Sequence, residues 1–345
     1  MTETVEERRD ALVERLFADS LSAFELVNVY LGHRLGLYTV LRDHGPLAPA
    51  DLARRAGIAD RYGREWLEQQ AAAGILELRD DDGRSVFALP PGHTEPLTDE
   101  GSLNFVAPFA QLLVACVRPI DDLVDAFRTG VGVPYAAYGS DLHDGQGAFT
   151  RPIFLELLGK EWLPAVTEIH ERLQAEPAAR VVDVACGVGW SSIAMAKAYP
   201  AIHVDGIDLD EASIAKARAN LAGSGVHDRV VFHHRDAGDP ALRGRYDLVT
   251  IFEALHDMSY PVEVLRACRA LLVDGGTVII GDERVEDAFS VPVGPIERLY
   301  YAVSGLGGMV RRNAPHRGRR MRKSPIGRSQ QTSGSTPLTS RRWSR

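Results

Sequence analysis

The chain has 345 residues, of which 45% are hydrophobic, so it can bury sizeable cores in about two domains. Its formal charge of −8 hides an asymmetry, because residues 311–345 contain 11 basic and no acidic residues. Residues 1–310 therefore hold 28 basic against 47 acidic residues. Such an acidic body argues against nucleic acid as a partner.

The sequence carries no signal for export or membrane insertion. The longest apolar stretch, 105–117, is shorter than the roughly 20 residues of a membrane span. The acidic N-terminus lacks the apolar core of a signal peptide. Cys116, Cys186 and Cys268 are far apart and form no C-x-x-C pair, so we expect neither a metal site nor a disulfide. We therefore expect a cytoplasmic protein without a membrane partner.

The first 95 residues predict a winged helix, since three short helices are followed by a hairpin around Asp80-Asp81-Asp82-Gly83. We interpret 1–95 as a winged-helix and dimerisation domain. A mostly helical pattern continues over 96–175, which we expect to link the domains and to line a substrate pocket. The predicted elements of the first domain are helices at 6–31, 35–42, 49–56 and 61–73 and strands at 75–78 and 85–89.

The second half alternates strands with helices, which predicts a doubly wound, parallel α/β sheet over 176–305. Residues 306–345 are rich in Arg, Ser, Gly and Pro without periodicity, so we expect a basic, disordered tail. No residues after 285 have the pattern of a strand hairpin. A natural basic extension and a shifted reading frame near residue 305 are both open as origins of the tail. The expected strands lie at 180–186, 203–208, 229–235, 246–253 and 276–282, and the helices at 191–199, 211–223 and 261–272.

A glycine-rich turn joins the first of these strands to a helix. Residues 180–192 read Arg-Val-Val-Asp-Val-Ala-Cys-Gly-Val-Gly-Trp-Ser-Ser. Gly187 and Gly189 let the backbone approach a ligand closely, and a nucleotide-like cofactor is the usual occupant of such a turn. The dinucleotide fingerprint is incomplete, because Ser192 stands where its third glycine is expected.

Acidic residues mark three successive strands. Asp183 lies within the first strand, Asp208 ends the second, and Asp236 ends the third. The carboxyl ends of parallel strands line the crevice in which an open α/β sheet binds its ligand. Asp208 can accept hydrogen bonds from both ribose hydroxyls, and Asp236 from an adenine amine. A cationic sulfonium cofactor suits such an acidic crevice better than a pyrophosphate does.

These residues resemble the cofactor loop and strand ends of class I S-adenosylmethionine-dependent methyltransferases, with Ala185 where the family pattern has a glycine. The winged helix extends the resemblance to small-molecule O-methyltransferases. The resemblance implies a Rossmann-like fold, S-adenosyl-L-methionine as the cofactor, a small-molecule acceptor and a homodimer. The implied cofactor-binding residues are Asp183, Ala185, Gly187, Gly189, Trp190, Asp208, Leu209, Asp236, Ala237 and Phe252.

A His-Asp pair, His256 and Asp257, follows the fourth strand, as it does in the O-methyltransferases. The resemblance implies that His256 is the catalytic base, and a pKa of about 6.5 suits an imidazole to that role. It also implies an orienting carboxylate near the fifth strand, for which Asp282 and Glu283 are candidates. In the other interpretation His256 only caps the next helix, and proximity alone drives methyl transfer.

Two other functions stay open at this point. A winged helix is also a transcription-factor module, so a DNA-binding regulator with an S-adenosylmethionine-binding domain is one alternative. Residues 48–84 argue against it, because they hold 6 Arg and 8 acidic residues where phosphate contacts need a positive surface. The second alternative is a cofactor-binding protein with impaired catalysis, because the resemblance implies a hairpin that closes the sheet, and this last hairpin is missing after residue 285. The sequence also leaves open whether oxygen, nitrogen or carbon is methylated.

Overall fold

The structure is a computed structural model that describes residues 3–284, 288–289, 291–306 and 338–342. The chain forms two compact units. The first comprises Met1–Ala115 with Ser140–Pro152, and the second comprises Cys116–Gly139 with Ile153–Arg345. The stretch 96–175, predicted as a linker and pocket region, contributes helices to both units.

Helices account for most of the first unit and surround the sheet of the second. Among the described residues, none of the helices has both the length and the apolarity needed to cross a membrane. The helices are α1 (Val5–Arg34), α2 (Leu37–His44), α3 (Pro49–Ala56), α4 (Asp60–Ala72), α5 (Thr94–Thr98), α6 (Ala107–Val117), α7 (Ile120–Thr129), α8 (Ser140–Ile153), α9 (Thr167–Gln174), α10 (Trp190–Ala198), α11 (Glu211–Ala222), α12 (Pro261–Leu271) and α13 (Pro295–Leu306). The strands are β1 (Glu77–Asp81), β2 (Arg84–Ala88), β3 (Arg180–Val184), β4 (His203–Asp208), β5 (Val230–His234), β6 (Tyr246–Phe252), β7 (Leu272–Gly281) and β8 (Leu338–Arg342).

The wing of the first unit is a tight hairpin. Strands β1 and β2 pair antiparallel, with Leu78 opposite Phe87. The sequence predicts a turn of four residues, but the turn in the structure has two. Asp82 and Gly83 alone reverse the chain direction, with φ of 49° and 80°. Two successive residues with positive φ match the right-handed twist of the flanking strands. Strand β1 therefore continues to Asp81, three residues beyond the predicted end of the strand.

The N-terminal helix α1 is anchored to the first unit at its carboxyl end only. Thr4 caps its start, and residues 3–24 are all exposed. Val29 and Gly32 are its buried residues. Gly32 lies so close to the Trp66 ring that a Cβ would overlap that ring, and this close approach anchors the last turns of α1.

The second unit is built on a six-stranded sheet in the order β5-β4-β3-β6-β7-β8. Strands β3 to β7 are parallel, which confirms the predicted doubly wound sheet. Consecutive strands lie to one side of β3 and then to the other, so the strand order reverses there. The carboxyl ends of β3 and β6 therefore flank a topological switch point, where open α/β sheets bind ligands.

Strand β8 lies within 306–345, which the sequence predicted as a disordered tail, and it is a single strand and not a hairpin. It pairs antiparallel with β7, and Leu338 lies opposite Gly281. The pairing uses backbone groups, so it needs no alternation of apolar side chains, and the sequence pattern did not reveal it. The rest of the predicted tail, 307–337 and 343–345, lies outside the described residues.

Apolar side chains cover both faces of the sheet. On β3, Val181 faces a core shared with α10 and the π-helical segment Phe154–Trp162, whereas Val182 faces a core shared with α12. Gly159 of the π-helical segment contacts Ala198 of α10 so closely that a Cβ would overlap it. A sheet packed on both faces leaves its carboxyl edge as the surface where polar side chains can gather.

Candidate active site

The loop after β3 holds three residues in the left-handed region of backbone conformation. Ala185, Gly187 and Gly189 have φ of 57°, 52° and 87°. A Cβ on Gly187 would meet no atom within 4 Å, whereas one on Gly189 would overlap Phe232 of β5. The close approach predicted for a ligand therefore applies at Gly187. At Gly189 the space is filled by the protein itself, so this glycine lets the loop pack against β5.

Asp183 lies beneath this loop and is only 1% exposed. Its carboxylate accepts hydrogen bonds from the hydroxyls of Ser191 and Ser192, at 2.6 and 2.7 Å, and from that of Thr250, at 2.7 Å. Burial raises the pKa of Asp183, while the three hydroxyl donors act in the opposite direction. With its oxygens engaged inside the fold, Asp183 joins the start of α10 to β6. We therefore assign it to positioning of the loop, although the sequence predicted a cofactor contact.

Asp208 ends β4 and is tied to the glycine turn. Its Oδ2 accepts from the Gly187 N–H at 2.9 Å, and its Oδ1 accepts from the Asp210 N–H at 2.9 Å. Burial raises the pKa of this half-buried carboxyl, and the backbone donors counteract the rise. Each oxygen keeps a second lone pair, so the carboxylate can still accept from two hydroxyls of a ligand. Asp210 caps α11, and its side chain accepts a hydrogen bond from the Ser213 N–H.

The neighbouring predicted residues lie at the same edge of the sheet. Leu209 is 68% exposed directly after Asp208 and offers an apolar surface to a ring. Asp236, after β5, is exposed, and its Oδ1 accepts from the Gly238 N–H at 2.6 Å. Ala237 is half-buried beside it. The strand order places these loops next to the glycine turn, because β4 pairs with both β3 and β5.

Two predicted aromatic contacts pack into the protein core. Phe252 is only 6% exposed, and its ring centroid lies 5.8 Å from that of Phe154 and 6.4 Å from that of Trp162. Trp190 is half-buried against the same core. The packing of Phe252 argues against its predicted role as a cofactor contact, because its ring is covered by two other aromatic rings.

His256 lies between two carboxylates. Its Nδ1 contacts Asp282 Oδ1, its backbone N–H donates to Asp282 Oδ2 at 3.2 Å, and its Nε2 lies 3.4 Å from Asp257 Oδ2. Asp282, and not Glu283, is thus the carboxylate that orients the imidazole. In a strand, the adjacent side chains of His256 and Asp257 would point to opposite faces. The segment Leu255–Asp257 is instead a turn of 3₁₀ helix, which lets both side chains meet.

The charges around His256 decide its protonation. Burial lowers its pKa, but hydrogen bonds and charge from Asp257 and Asp282 outweigh burial and raise the pKa to about 11. The two carboxylates thus favour the protonated form of the imidazole. Both ring nitrogens then carry protons and neither has a free lone pair. The role of His256 as the base stays a prediction, and the Asp282–Nδ1 contact is the orienting contact predicted for it.

Glu253, which the sequence did not single out, lies beside this ion cluster at the end of β6. Its φ is 49°, and its N–H donates to the Gly281 carbonyl at 2.8 Å. Burial raises the pKa of its carboxyl to about 7, with further rises from Asp282 and Glu283 and an opposing effect from His256. Burial likewise raises the pKa of Glu283. The feature that distinguishes Glu253 is its positive φ, which is unusual for a residue other than glycine. A backbone angle cannot be read from the sequence, so the sequence held no signal for this residue.

Tyr135 connects the two halves of the site electrostatically. It belongs to the 3₁₀ segment Tyr135–Tyr138 of the second unit and is half-buried. Burial raises its pKa, and the charges of Asp208, Asp210 and Asp257 raise it further. The Tyr135 hydroxyl is therefore within the electrostatic influence of both Asp208, which is bonded to the glycine turn, and Asp257, which lies beside His256. By contrast, Tyr138 is buried, and its hydroxyl donates to the Leu306 carbonyl at 2.9 Å.

Two protein families match separate stretches of the chain. Residues 182–278 match the family described as a methyltransferase domain, and residues 23–99 match the Rv2258c-like winged HTH domain. Residues 182–278 are therefore similar to a methyltransferase domain and residues 23–99 to a winged HTH domain, which confirms the predicted resemblance.

Individual relatives place the chain near O-methyltransferases. A ubiquinone biosynthesis O-methyltransferase of Aromatoleum aromaticum is 40% identical over 101 residues, which cover 29% of this chain and 42% of that protein. The enzyme of the same description from Bordetella avium is 37% identical over 146 residues, covering 42% and 56%. The 27-O-demethylrifamycin SV methyltransferase of Amycolatopsis mediterranei is 35% identical over 104 residues, covering 30% and 38%. The matches thus span about half, or less, of these relatives.

Solved structures extend the likeness of fold to most of the chain. The mitomycin 7-O-methyltransferase MmcR superposes with a TM-score of 0.64 at 19% identity and covers 88% of both chains. Human N-acetylserotonin methyltransferase, solved in complex with SAM, superposes with a TM-score of 0.62 at 17% identity and covers 86% of this chain and 87% of that one. At such identities the likeness establishes the fold.

Proposed function

We propose that this chain transfers a methyl group from S-adenosylmethionine to a small-molecule acceptor, with a hydroxyl oxygen as the methylated atom. The observation that carries the proposal is the hydrogen bond between the Gly187 N–H and the Asp208 carboxylate at the switch point of the sheet. It fixes an open backbone turn and an acceptor of hydroxyl protons side by side. The O-methyltransferases among the relatives support oxygen as the acceptor atom.

The residues at the sheet edge fit this cofactor. Gly187 leaves an open space above the turn, and the free lone pairs of Asp208 suit ribose hydroxyls. Leu209 offers its exposed side chain to adenine, and Asp236 can accept from the adenine amine. When bound, S-adenosylmethionine supplies a methyl group on a positively charged sulfur. The carboxylates of this edge favour such a cation.

The carboxyl ends of β6 and β7 form the acid–base half of the proposed site. Asp257 and Asp282 favour the protonated form of His256, whose charge partly offsets the surrounding carboxylates. Glu253 and Glu283 complete the charged surface. We propose that these residues orient the acceptor and receive its proton, while the aromatic core beneath them, including Phe252, excludes water. Orientation alone can supply much of the rate of a displacement reaction.

Calorimetry with S-adenosylmethionine and, separately, with NAD tests the proposal. We expect the first to bind and the second not to bind. Asp208→Asn should weaken S-adenosylmethionine by about 10- to 100-fold, because it removes a charged hydrogen-bond acceptor. Asp228→Asn is the matched control, since the Asp228 side chain is 67% exposed before β5 and should leave binding unchanged. Binding of NAD alone, or of neither compound, would overturn the proposal. Binding of neither would favour an impaired protein.

We also propose that the chain acts as a homodimer through helix α1. Val13, Phe17, Leu21 and Phe24 are spaced by four, four and three residues, which places them on one helix face. Their exposed fractions are 61%, 72%, 49% and 72%. An exposed apolar stripe of this length marks an interaction surface. We propose that helix α1 of a second copy of the chain covers this surface, because its apolar stripe has the same length and the same apolar character.

Light scattering after size exclusion tests the dimer. The double variant Phe17→Glu with Phe24→Glu places two charges on the apolar face and should yield monomers. Ser22→Glu adds a charge at an exposed position about 180° around the helix from Val13, so it should leave the dimer intact. A monomeric wild-type protein, or equal dissociation in both variants, would contradict the proposed interface.

A further inference from the structure

Helices α7 and α13 of the second unit line an apolar groove of about 480 Å³ that none of the described residues fills. Helix α7 contributes one wall, with Ile120, Leu123, Val124 and Phe127 spaced by three, one and three residues on a single helix face. The Phe127 side chain is 79% exposed, so this wall is uncovered in the single chain. An uncovered apolar surface of this kind marks a place where another molecule binds.

Small residues of α13 form the opposite wall. Ala302 and Gly305 lie about one turn apart, beside Leu306. A Cβ on Gly305 would meet no atom within 4 Å, so the groove is open above this residue. The Tyr138 hydroxyl donates a hydrogen bond to the Leu306 carbonyl at 2.9 Å, which holds the end of α13 in place. The groove is therefore preformed, and its low wall admits the side-chain ridge of a third helix.

Helix α1 carries a second apolar face beside the stripe proposed above for the pairing of two α1 helices. This second face consists of Leu12, Leu16, Ala23 and Val27, which recur at intervals of four, seven and four residues. All four residues are exposed. Successive residues of a helix point about 100° apart, and the second face precedes the first by one residue, so the two faces lie about 100° apart. One α1 helix can therefore contact two different elements of a partner.

Charges at the edges of the two surfaces are complementary. Arg8 and Arg15 lie two turns apart along the edge of the second face of α1. Asp121 and Asp125 lie one turn apart along the edge of the apolar face of α7. The two arginines pair with exposed neighbours, as Arg15 does with Asp19 at 3.5 Å. Exposed pairs of this kind contribute little to stability, so exchanging them for pairs with α7 costs little.

Resting on the proposed homodimer, we propose that the second face of α1 from one protomer packs in the α7–α13 groove of its partner. Residues 5–24 of α1 are exposed and span about 30 Å, whereas the ten residues of α7 span about 15 Å. Helix α1 is thus long enough to cover the groove and to pair with the α1 helix of the partner. The basic edge of α1 then lies against the acidic edge of α7, which fixes the orientation of the contact.

The contact reaches the candidate active site through α13. Burial raises the pKa of Tyr300, and the charges of Glu283, Glu253 and Asp282 raise it further. Tyr300 and Ala302 point about 200° apart around the helix. One face of α13 is therefore turned to the carboxylates of the site, while the opposite face lines the groove. The α1 helix of the partner supports α13 from behind, so the acceptor half of the site is complete in the dimer.

The decisive test is an NMR experiment on two differently labelled full chains that are mixed and allowed to exchange protomers. One chain carries a nitroxide on Ser22→Cys, which lies away from both apolar faces of α1, and Cys116, Cys186 and Cys268 are buried. The other chain carries ¹³C-labelled methyl groups and no nitroxide. We expect the nitroxide to broaden the Val124 methyl signals of the second chain. The exposed Val231 of β5, at the sheet edge opposite to β8, should keep sharp signals.

The outcomes of this experiment separate the inference from the proposed homodimer. Sharp groove methyls in a dimeric sample would overturn the inference and leave the homodimer standing. A groove covered by the segment that follows Leu306 of the same chain would give that result as well. A monomeric sample would overturn the homodimer and the inference together. Binding of S-adenosylmethionine is measured separately and depends on neither result.

A variant that fills the groove supplies a second readout. Gly305→Phe should fold, since its Cβ meets no atom, and should raise the dissociation constant of the dimer by about tenfold or more. Gly223→Phe, at the end of α11, is the matched control, because its Cβ also meets no atom and it lies outside the groove. On an acceptor that is methylated, turnover of Gly305→Phe should fall at low protein concentration and recover at high concentration, with S-adenosylmethionine affinity within about twofold of wild type. An unchanged dissociation constant would overturn the inference.

Discussion

Gly189 and Gly187 lie two residues apart in the same loop, both with positive φ, yet the structure gives them different roles. A Cβ on Gly189 would lie 2.9 Å from Phe232 Cε1 and 3.0 Å from the Ala217 Cβ. A Cβ on Gly187 would contact nothing within 4 Å. We therefore predict that alanine at 189 destabilises the fold, whereas alanine at 187 mainly obstructs the ligand.

The magnitudes follow from two separable costs. Alanine in the left-handed region costs about 1–2 kcal/mol at either position. Forcing a Cβ into a filled core costs a further 1–3 kcal/mol, roughly, and applies only at Gly189. The stiffening of the unfolded chain by alanine is common to both variants and cancels in the difference. The free energy of unfolding should thus fall by about 2–5 kcal/mol for Gly189→Ala and by about 1–2 kcal/mol for Gly187→Ala.

Urea denaturation of the full chain, followed by circular dichroism, measures both values. Phe232→Leu supplies the control, because it shortens the side chain that the new Cβ would meet. The double variant Gly189→Ala with Phe232→Leu should lose less stability than the sum of the two single variants. Calorimetry should give the opposite ranking for S-adenosylmethionine, with Gly187→Ala as the weaker binder. Equal destabilisation by both alanine variants would refute the reasoning.

Three further substitutions have expected outcomes in urea denaturation. Asp183→Ala should lower the free energy of unfolding by about 3–5 kcal/mol, because three buried hydroxyls lose their acceptor; a loss below about 1 kcal/mol would contradict this. Ala185→Gly should raise the free energy of unfolding by about 1 kcal/mol, because glycine relieves the strain of the left-handed backbone conformation. An unchanged free energy of unfolding would argue that this strain is absent. The pKa of Glu253 is raised from 4.5 to about 7 on folding, so the stability present below pH 4.5 is lost as the pH rises through 7. The glutamine in Glu253→Gln cannot ionise, so this variant should have a free energy of unfolding up to about 3 kcal/mol higher than wild type at pH 9 and little changed at pH 4. Equal gains in the free energy of unfolding at both pH values would refute the raised pKa of Glu253.

The sequence predicted the sheet well because buried parallel strands have a strong local signature. The strand predicted at 203–208 matches β4, and the helix predicted at 211–223 matches α11 within one residue. Short runs of valine and isoleucine, separated by helical stretches, are recognisable without tertiary information. Strand β8 lacks that signature, since its residues form a strand only through pairing with the backbone of β7.

The site was harder to predict where long-range packing decides a role. Phe252 ends strand β6 at the edge where ligand-binding residues are expected. Its ring is covered by Phe154, which lies about a hundred residues earlier in the sequence. The position of His256 was predicted, yet its protonation depends on Asp257 turning to the same side within a 3₁₀ turn. Glu253 was missed because its distinguishing feature is a backbone angle.

The two halves of the site differ in what holds their carboxylates. Asp208 is fixed by backbone N–H groups of Gly187 and Asp210, which carry no net charge and do not titrate. Asp282 is fixed by His256, whose charge depends on pH and on every carboxylate nearby. Backbone N–H donors do not titrate, so they suit the binding of a cofactor in one fixed position. A titratable partner such as the His256 ring suits a step in which a proton changes position. The division of the sheet edge into these two halves is therefore consistent with the proposed methyl transfer to a hydroxyl.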